Sequence, residues 1–164
     1  MKIKYQDNDN FILYLNKFYI NKLDLEDKKS VEEYFKNIFL KLKKRFSFNI
    51  YGYYNIKVFA NNIYGIIIEV NKINNEYFKL YGSKTDMKIA IDTNNLFLYE
   101  IEDYFLIDYL SDYINNIYYN DNNHKYYIEI NENINKAKYN ILIENSNIIY
   151  DADADDILFS CSLL

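Results

Sequence analysis

Between Ser30 and Phe46 the apolar residues recur at the spacing of an amphipathic helix, and this pattern constrains the fold more than any other. The stripe consists of Val31, Tyr34, Phe35, Ile38, Phe39, Leu42 and Phe46. Such a stripe must be buried against another element. Ser30 with Glu33 three residues later has the spacing of a capping box, so the helix is predicted to begin at Ser30.

Segments rich in β-branched and aromatic residues flank this helix. Residues Asn10 to Ile20 are predicted to form a strand before it, and residues 55–60 and 65–70 two strands after it. Gly65 is available for a positive φ in the turn between those two strands. The first part of the chain therefore predicts a β-α-β-β unit, placed at residues 1–80.

The second part of the chain repeats this alternation after a linker placed near Gly82 to Asp86. MKIAI and NLFLYEI predict strands, EDYFLIDYLSDYI a helix, NIYYNDNNHKYYIEI a hairpin, ENINKAKYNILIENS a helix and IIY a strand. Glu102 and Asp103 are expected in the first turn of the first of these helices. The residues expected on the buried face of the second are Ile134, Ala137, Ile141 and Leu142. We therefore predict an α+β fold of two small antiparallel-sheet units, β-α-β-β at 1–80 and β-α-β-β-α-β at 86–164, with helices packed on one face.

Charge and composition argue against several classes of function. The net charge of −5 argues against a nucleic-acid partner, although the basic cluster from Lys41 to Arg45 leaves phosphate contact as an alternative. The single cysteine, Cys161, excludes an intramolecular disulfide and a cysteine-based metal cluster. No apolar run approaches the ~20 residues that span a bilayer, and the N-terminus does not resemble a signal peptide. A cytoplasmic protein without membrane association is expected.

Four aspartates near the end of the sequence have part of the pattern of a calcium loop. Asp151, Asp153 and Asp155 take the spacing of its first three ligands, but Asp156 replaces the required glycine and Ser162 the required glutamate. We therefore expect no metal or cofactor here. Asp151 is instead predicted to cap a terminal helix, with the other aspartates in or beside its first turn.

No residue of the sequence is predicted to be catalytic. His124 is the single histidine and falls at a predicted hairpin tip without a rigid partner, whereas general acid–base catalysis needs a held geometry. Cys161 is expected to pack against the core, since nothing marks it as an activated thiol. An enzyme that uses scattered carboxylates stays an alternative.

Three stretches follow one another along most of the sequence: VEEYFKNIFLKLKKRFSFNIYGYYNIKVFANNIYGIIIEV, FLYEIEDYFLIDYLSDYINNIYYNDNNHKYYIEI and ENSNIIYDADADDIL. In this order they resemble the MecA-type adaptor proteins of Gram-positive bacteria. The first stretch is similar to the N-terminal domain of that family, the second to its C-terminal domain, and the third to its closing strand and acidic helix. The residues that carry the likeness are Glu32, Phe35, Phe48, Gly52, Ala60, Gly65, Glu102, Asp103, Tyr104, Phe105, Leu110, Ser111, Lys125, Tyr126, Tyr127 and Ala154.

The resemblance implies a non-enzymatic adaptor. One domain would hold a substrate protein while the other docks on an Hsp100-type ATPase such as ClpC. The adaptor would thereby present the substrate to the ATPase for unfolding and proteolysis. We expect docking through the second half, since exposed aromatics beside charges suit an interface. The candidate docking residues are Glu102, Asp103, Tyr118, Tyr119, Tyr126, Tyr127, Asp153, Asp155 and Asp156. Two alternatives stay open: an unrelated protein–protein interaction module, and tyrosines that pack across the sheet.

Overall fold

The computed structural model describes residues 2–7, 9–18, 24, 27–46, 51–61, 63, 65–73, 85–93 and 95–164. The described residues form four α-helices and two five-stranded sheets. This confirms the predicted α+β class. The predicted linker near Gly82 to Asp86 lies largely outside the described residues.

Sheet 1 is formed by the first part of the chain. Its elements are β1 (Lys2–Tyr5), β2 (Asn10–Asn16), α1 (Lys28–Phe46), β3 (Gly52–Asn61), β4 (Gly65–Ile73) and β5 (Thr85–Asp92). The strand order is β1-β2-β4-β3-β5. Neighbouring strands are antiparallel except β3 and β5, which are parallel. The predicted hairpin of β3 and β4 is confirmed, and Gly65 has the expected positive φ of 120°.

Two strands of sheet 1 depart from the prediction. The segment MKIAI was predicted to open the second unit, but it lies in β5 and pairs with β3 from Gly52↔Thr85 to Phe59↔Asp92. Alternating apolar residues show that a segment is a strand, but they do not show which sheet it joins. The charged strand β1 was not predicted, because as an edge strand it keeps two of its four residues exposed. The domain ranges 1–80 and 86–164 themselves stay a prediction.

Sheet 2 is formed by the second part of the chain. Its elements are β6 (Phe97–Ile101), α2 (Tyr104–Leu110), β7 (Ile114–Asn120), β8 (Lys125–Ile130), α3 (Lys136–Glu144), β9 (Ser146–Tyr150), α4 (Ala152–Ser160) and β10 (Ser162–Leu163). The strand order is β10-β7-β8-β6-β9, and all neighbouring pairs are antiparallel. The edge strands β9 and β10 lie at opposite sides of the sheet.

Both faces of β2 and of the first part of β4 are buried, which explains the evenly apolar sequences of these two strands. Phe11, Leu13 and Leu15 of β2 point towards α1 and pack with its residues Val31 and Phe35. The residues between them on β2 point the other way, into a second core. A strand covered on both sides has no solvent face, so it needs no polar alternation.

The second core is shared by the two sheets. Sheet 1 contributes Ile12, Tyr14, Phe59 and Ile67, and sheet 2 contributes the inner face of β6 and β8 together with α2 and α3. A hydrogen bond of 2.8 Å from the Tyr150 hydroxyl to Glu69 Oε1 also joins the sheets. The two sheets therefore pack as parts of one continuous structure.

The helix ends and faces differ from the sequence prediction in detail. α1 begins at Lys28, two residues before Ser30, and the Asp27 side chain accepts a hydrogen bond from the Lys29 amide at 3.0 Å. Asp27 rather than Ser30 is thus the capping residue. The side chains of Phe39, Leu42 and Phe46 lie outside the described part of the chain.

α3 buries a different face from the predicted one. The helix buries Tyr139, Leu142 and Ile143, while Ala137 is exposed and Ile141 is half-buried. The prediction was right for Leu142 and for Ile134, which is buried just before the helix. Tyr139 takes the central place because its hydroxyl bonds that of Tyr99 at 2.9 Å, which satisfies both groups inside the core.

Candidate functional site

The short helix α2 separates a buried side from an exposed aromatic side. Asp103 caps the helix by accepting a hydrogen bond from the Phe105 amide at 2.9 Å, so it lies just before the first turn. Leu106, Ile107 and Leu110 are buried in the shared core. The opposite side carries exposed aromatic residues, which the core does not explain.

We define the aromatic surface as Tyr104, Phe105, Tyr109, Tyr119 and Tyr126. Phe105 is 80% exposed, and Tyr104 and Tyr109 are about half exposed at 58% and 49%. The ring of Tyr126 packs against Tyr104 at 5.9 Å and against Tyr119 at 4.9 Å. These ring contacts join helix α2 to the β7–β8 hairpin in one surface.

A groove runs beside this surface, and we call it the α2 groove. It encloses about 790 Å³ between α2, the C-terminal end of α3, the start of β9 and Lys2 of β1. Phe105, Leu106, Tyr109 and Ile141 form its apolar lining. The four carboxylates that line it are those of Glu100, Glu102, Asp103 and Glu144.

One cation from the protein itself already lies in the α2 groove. The Lys2 ammonium donates hydrogen bonds to the carbonyl oxygens of Ile143 at 2.9 Å and Ser146 at 3.4 Å, at the C-terminal end of α3. The end of a helix carries partial negative charge and favours a cation. Burial lowers the pKa of Lys2, the neighbouring charge of Lys4 lowers it further, and the Glu144 carboxylate raises it.

Glu100 is the buried member of the groove carboxylates. Its two oxygens contact Lys125 Nζ at 2.7 Å, Asn147 Nδ2 at 3.2 Å and the Tyr127 hydroxyl at 3.5 Å. The hydrogen bond with Glu100 is the main cause that raises the pKa of Lys125. Glu102, Asp103 and Glu144 are exposed, so these three carboxylates face solvent along the groove.

The predicted docking residues do not all meet at this surface. Glu102, Asp103, Tyr119 and Tyr126 lie at or beside α2. Tyr118 and Tyr127 form the neighbouring cross-strand pair, and alternate residues of a strand point to opposite faces. Both therefore lie on the other face of sheet 2.

On that other face Tyr127 is buried and Tyr118 is half-buried. Tyr127 is 1% exposed and packs with Leu98 and Ala154, so it cannot serve as an exposed docking residue in this structure. The Tyr118 hydroxyl lies 3.4 Å from Glu129 Oε2. For these two residues the structure agrees with the alternative in which the tyrosines pack across the sheet.

The acidic tail also lies on that other face. Asp153, Asp155 and Asp156 are exposed on α4, whose residue Ala154 is buried in the core on the outer side of sheet 2. Asp151 precedes the helix as predicted, but it has φ 58° and ψ −148° and its side chain makes no capping hydrogen bond. Among the residues that the structure describes, no three histidine, cysteine or acidic side chains are placed to hold a metal ion.

The two residues considered for catalysis lie away from the α2 groove lining. His124 is an exposed turn residue with φ 56°, and its Nδ1 lies 2.9 Å from the Tyr119 hydroxyl. Cys161 is partly buried beside Tyr127 and Ala154, as expected for a residue that packs against a core.

Sequence reasoning left Tyr104, Phe105 and Tyr109 out of the candidate docking residues, although the signal was present. In EDYFLIDYL, Leu106 and Leu110 stand four residues apart and mark one helix face. Phe105 and Tyr109 have the same spacing one position earlier, beside the charged Asp108. Aromatic residues that share the polar side of a helix are candidates for a contact surface.

None of the helices in the described ranges combines the length and apolar character needed to cross a membrane. No protein-family model matches this sequence, and comparison with curated proteins and with solved structures likewise finds no match. The resemblance to MecA-type adaptors therefore stays a prediction from the sequence.

Proposed function

We propose that this protein is a non-enzymatic, cytoplasmic adaptor that binds other proteins through the aromatic surface. The observation that carries the proposal is the exposure of Phe105, at 80%, next to Tyr104 and Tyr109 on one helix. Aromatic side chains are enriched in protein interfaces and supply much of the binding energy there. Leaving such residues in water contributes nothing to folding, so their place on α2 favours a binding role.

The proposed partner is an Hsp100-type ATPase of the ClpC class, which would receive substrate proteins from this adaptor. The support for this part is the resemblance of residues 97–130 to the C-terminal domain of MecA-type adaptors. The aromatic surface lies within those residues, because α2 and the β7–β8 hairpin are its two parts. An unrelated interaction module would use the same surface for a different partner.

Affinity purification of the tagged full-length protein from its own host, with ATP present, tests this function. We expect mass spectrometry to identify an Hsp100-type ATPase with the wild-type protein. Phe105→Ala should reduce its recovery by roughly tenfold or more, since truncation of a central aromatic residue commonly costs more than about 1–2 kcal/mol of binding. Full-length variants are needed because β5 pairs with sheet 1, so truncation at residue 86 would disturb both sheets.

Phe159→Ala is the matched control, because Phe159 is 91% exposed but lies on α4, on the other face of sheet 2. The Phe159→Ala variant should recover as much of the ATPase as the wild type does. Failure to recover any such ATPase from a host that expresses one would refute the adaptor role. If Phe105→Ala recovers as much of the ATPase as the wild type does, the aromatic surface is not the docking surface.

A further inference from the structure

The charges of this protein are strongly segregated along the chain. Residues 93–164 contain 13 Asp and Glu but three Lys, whereas residues 1–92 contain 11 Asp and Glu and 16 Lys and Arg. All elements of sheet 2, including the aromatic surface, belong to residues 93–164. The net charge of −5 therefore conceals a strongly acidic half that carries the candidate site.

We propose that the α2 groove binds an extended segment of a partner protein that carries Lys or Arg next to apolar side chains. This inference rests on the proposed protein-binding function and names the chemistry of the partner. Three exposed carboxylates, from Glu102, Asp103 and Glu144, line the groove beside the exposed ring of Phe105. A basic side chain meets complementary charge there, while an apolar neighbour covers the aromatic ring.

The position of Lys2 shows how the groove receives a cation. Its ammonium is held by two main-chain carbonyl groups at the end of α3 and lies near the Glu144 carboxylate. The carboxylates of Glu102 and Asp103 lie at the start of α2, at the other wall of the same groove. A basic segment can therefore bind beside Lys2 without replacing it, because these two carboxylates are exposed.

The apolar lining sets the second requirement for the partner. Leu106 and Ile141 contribute to the groove between α2 and α3, and Phe105 lies beside them. Lys138 covers one face of the Tyr109 ring, since its Nζ lies 3.1 Å from the ring centroid and 3.0 Å from the Tyr109 carbonyl oxygen. Phe105 is the most exposed ring of the groove lining, so a leucine or similar side chain of the partner can cover it.

Fluorescence anisotropy with the purified full-length protein tests the inference. The probe is a labelled peptide of about ten residues with alternating Leu and basic residues, which reaches at most roughly 36 Å when fully extended. The matched peptide has Gln in place of each basic residue. We expect the basic peptide to bind at least roughly tenfold more tightly at low salt, and its affinity to fall as salt rises. Equal affinity of the two peptides would overturn the inference.

Paired charge variants locate the binding site. Glu102→Gln with Glu144→Gln should weaken binding of the basic peptide by about tenfold, since each exposed charge pair contributes up to about fivefold. Asp155→Asn with Asp156→Asn makes the same change of net charge on α4 and should change the affinity by less than about twofold. If the α4 pair weakens binding as much as the groove pair, the acidic tail or net charge is responsible and the groove assignment is wrong.

This test is separable from the test of the proposed function. Binding of the basic peptide that depends on Glu102 and Glu144, without recovery of an Hsp100-type ATPase, would support the groove and refute that partner. Recovery of the ATPase that depends on Phe105, with no preference for the basic peptide, would support docking and refute the groove inference. Circular dichroism of each variant verifies that the fold is retained.

Discussion

At the scale of single residues, Gly65 is the position where the backbone leaves no room for a side chain. Its φ is 120°, and an added Cβ would lie 2.5 Å from the Leu15 carbonyl oxygen and 3.0 Å from the Lys17 amide nitrogen. Neither backbone atom can move without disturbing the pairing of β2 with β4. We therefore expect Gly65→Ala to lower the free energy of unfolding by about 2–4 kcal/mol, from strain and steric clash together.

Gly52→Ala is the control for that prediction, measured by urea denaturation of both variants. Gly52 has a similar φ of 134°, but an added Cβ there would approach the Lys72 side chain, with Cε at 3.0 Å. A lysine side chain can rotate away, so Gly52→Ala should cost roughly 1–2 kcal/mol from backbone strain alone. If the two variants lose equal stability, the close approach at Gly65 contributes nothing.

The candidate site also shows how far single residues could be predicted. Glu102 and Asp103 were predicted in the first turn of α2, but they lie just before it, with Asp103 as the N-cap. The sequence still indicated this helix start, because acidic residues before an apolar run mark that position. Tyr127 could not be distinguished from Tyr126, because neighbouring tyrosines in a strand differ only in the face to which they point. Tyr127 is buried because it packs with Ala154 of α4, which follows more than twenty residues later in the chain.

At the scale of elements, two residues are candidates for the N-cap of α1, and their effects on stability distinguish them. Asp27→Ala should lower the free energy of unfolding by about 1 kcal/mol, because the Asp27 side chain accepts a hydrogen bond from the Lys29 amide. Ser30→Ala should change it by less than about 0.5 kcal/mol, since Ser30 lies inside the helix and alanine is the best helix former. Thermal or urea unfolding of both variants measures the difference. A larger loss for Ser30→Ala would place the cap at Ser30, as the capping-box pattern predicts.

Elements with a strong period were predicted well, and elements with a weak one were not. The hairpins of β3 with β4 and β7 with β8 follow from runs of β-branched and aromatic residues that flank turn residues. In α3 the apolar residues surround most of the helix, so the sequence offered two faces with similar hydrophobicity. The buried face was selected by the Tyr99–Tyr139 hydroxyl pair, which is a contact between distant parts of the chain.

At the scale of the whole molecule, buried tyrosines make stability depend on alkaline pH. Burial, with a smaller contribution from the Asp9 charge, raises the pKa of Tyr54 from 10.0 to about 12. Burial also raises the pKa of Tyr139 and Tyr150, and a hydrogen bond to Glu69 raises that of Tyr150 further. Below pH 10 these groups are protonated in both the folded and the unfolded chain, so their contribution to stability is fully present there.

We expect the free energy of unfolding to fall as pH rises from about 10 to 12. In this range the unfolded chain loses the Tyr54 proton first, which favours unfolding by at most about 1.4 kcal/mol per pH unit. Tyr54→Phe removes this contribution, so its stability should decrease less steeply than that of the wild type. Urea unfolding of both proteins, referred to their values near neutral pH, measures the two slopes. Parallel slopes would show that Tyr54 does not hold its proton more strongly in the folded state.

The sequence by itself determined the α+β class, the strong amphipathic helix whose apolar stripe begins at Val31, and most strands, because local periodicity specifies which face of each element is apolar. It also determined that an acidic and aromatic segment opens α2. Tertiary structure decided that β5 joins sheet 1, that the two sheets share a core, and that Phe105 stays exposed while Tyr127 is buried. The physical reason is that an apolar face only requires a partner, whereas the identity of that partner depends on contacts between residues far apart in the chain.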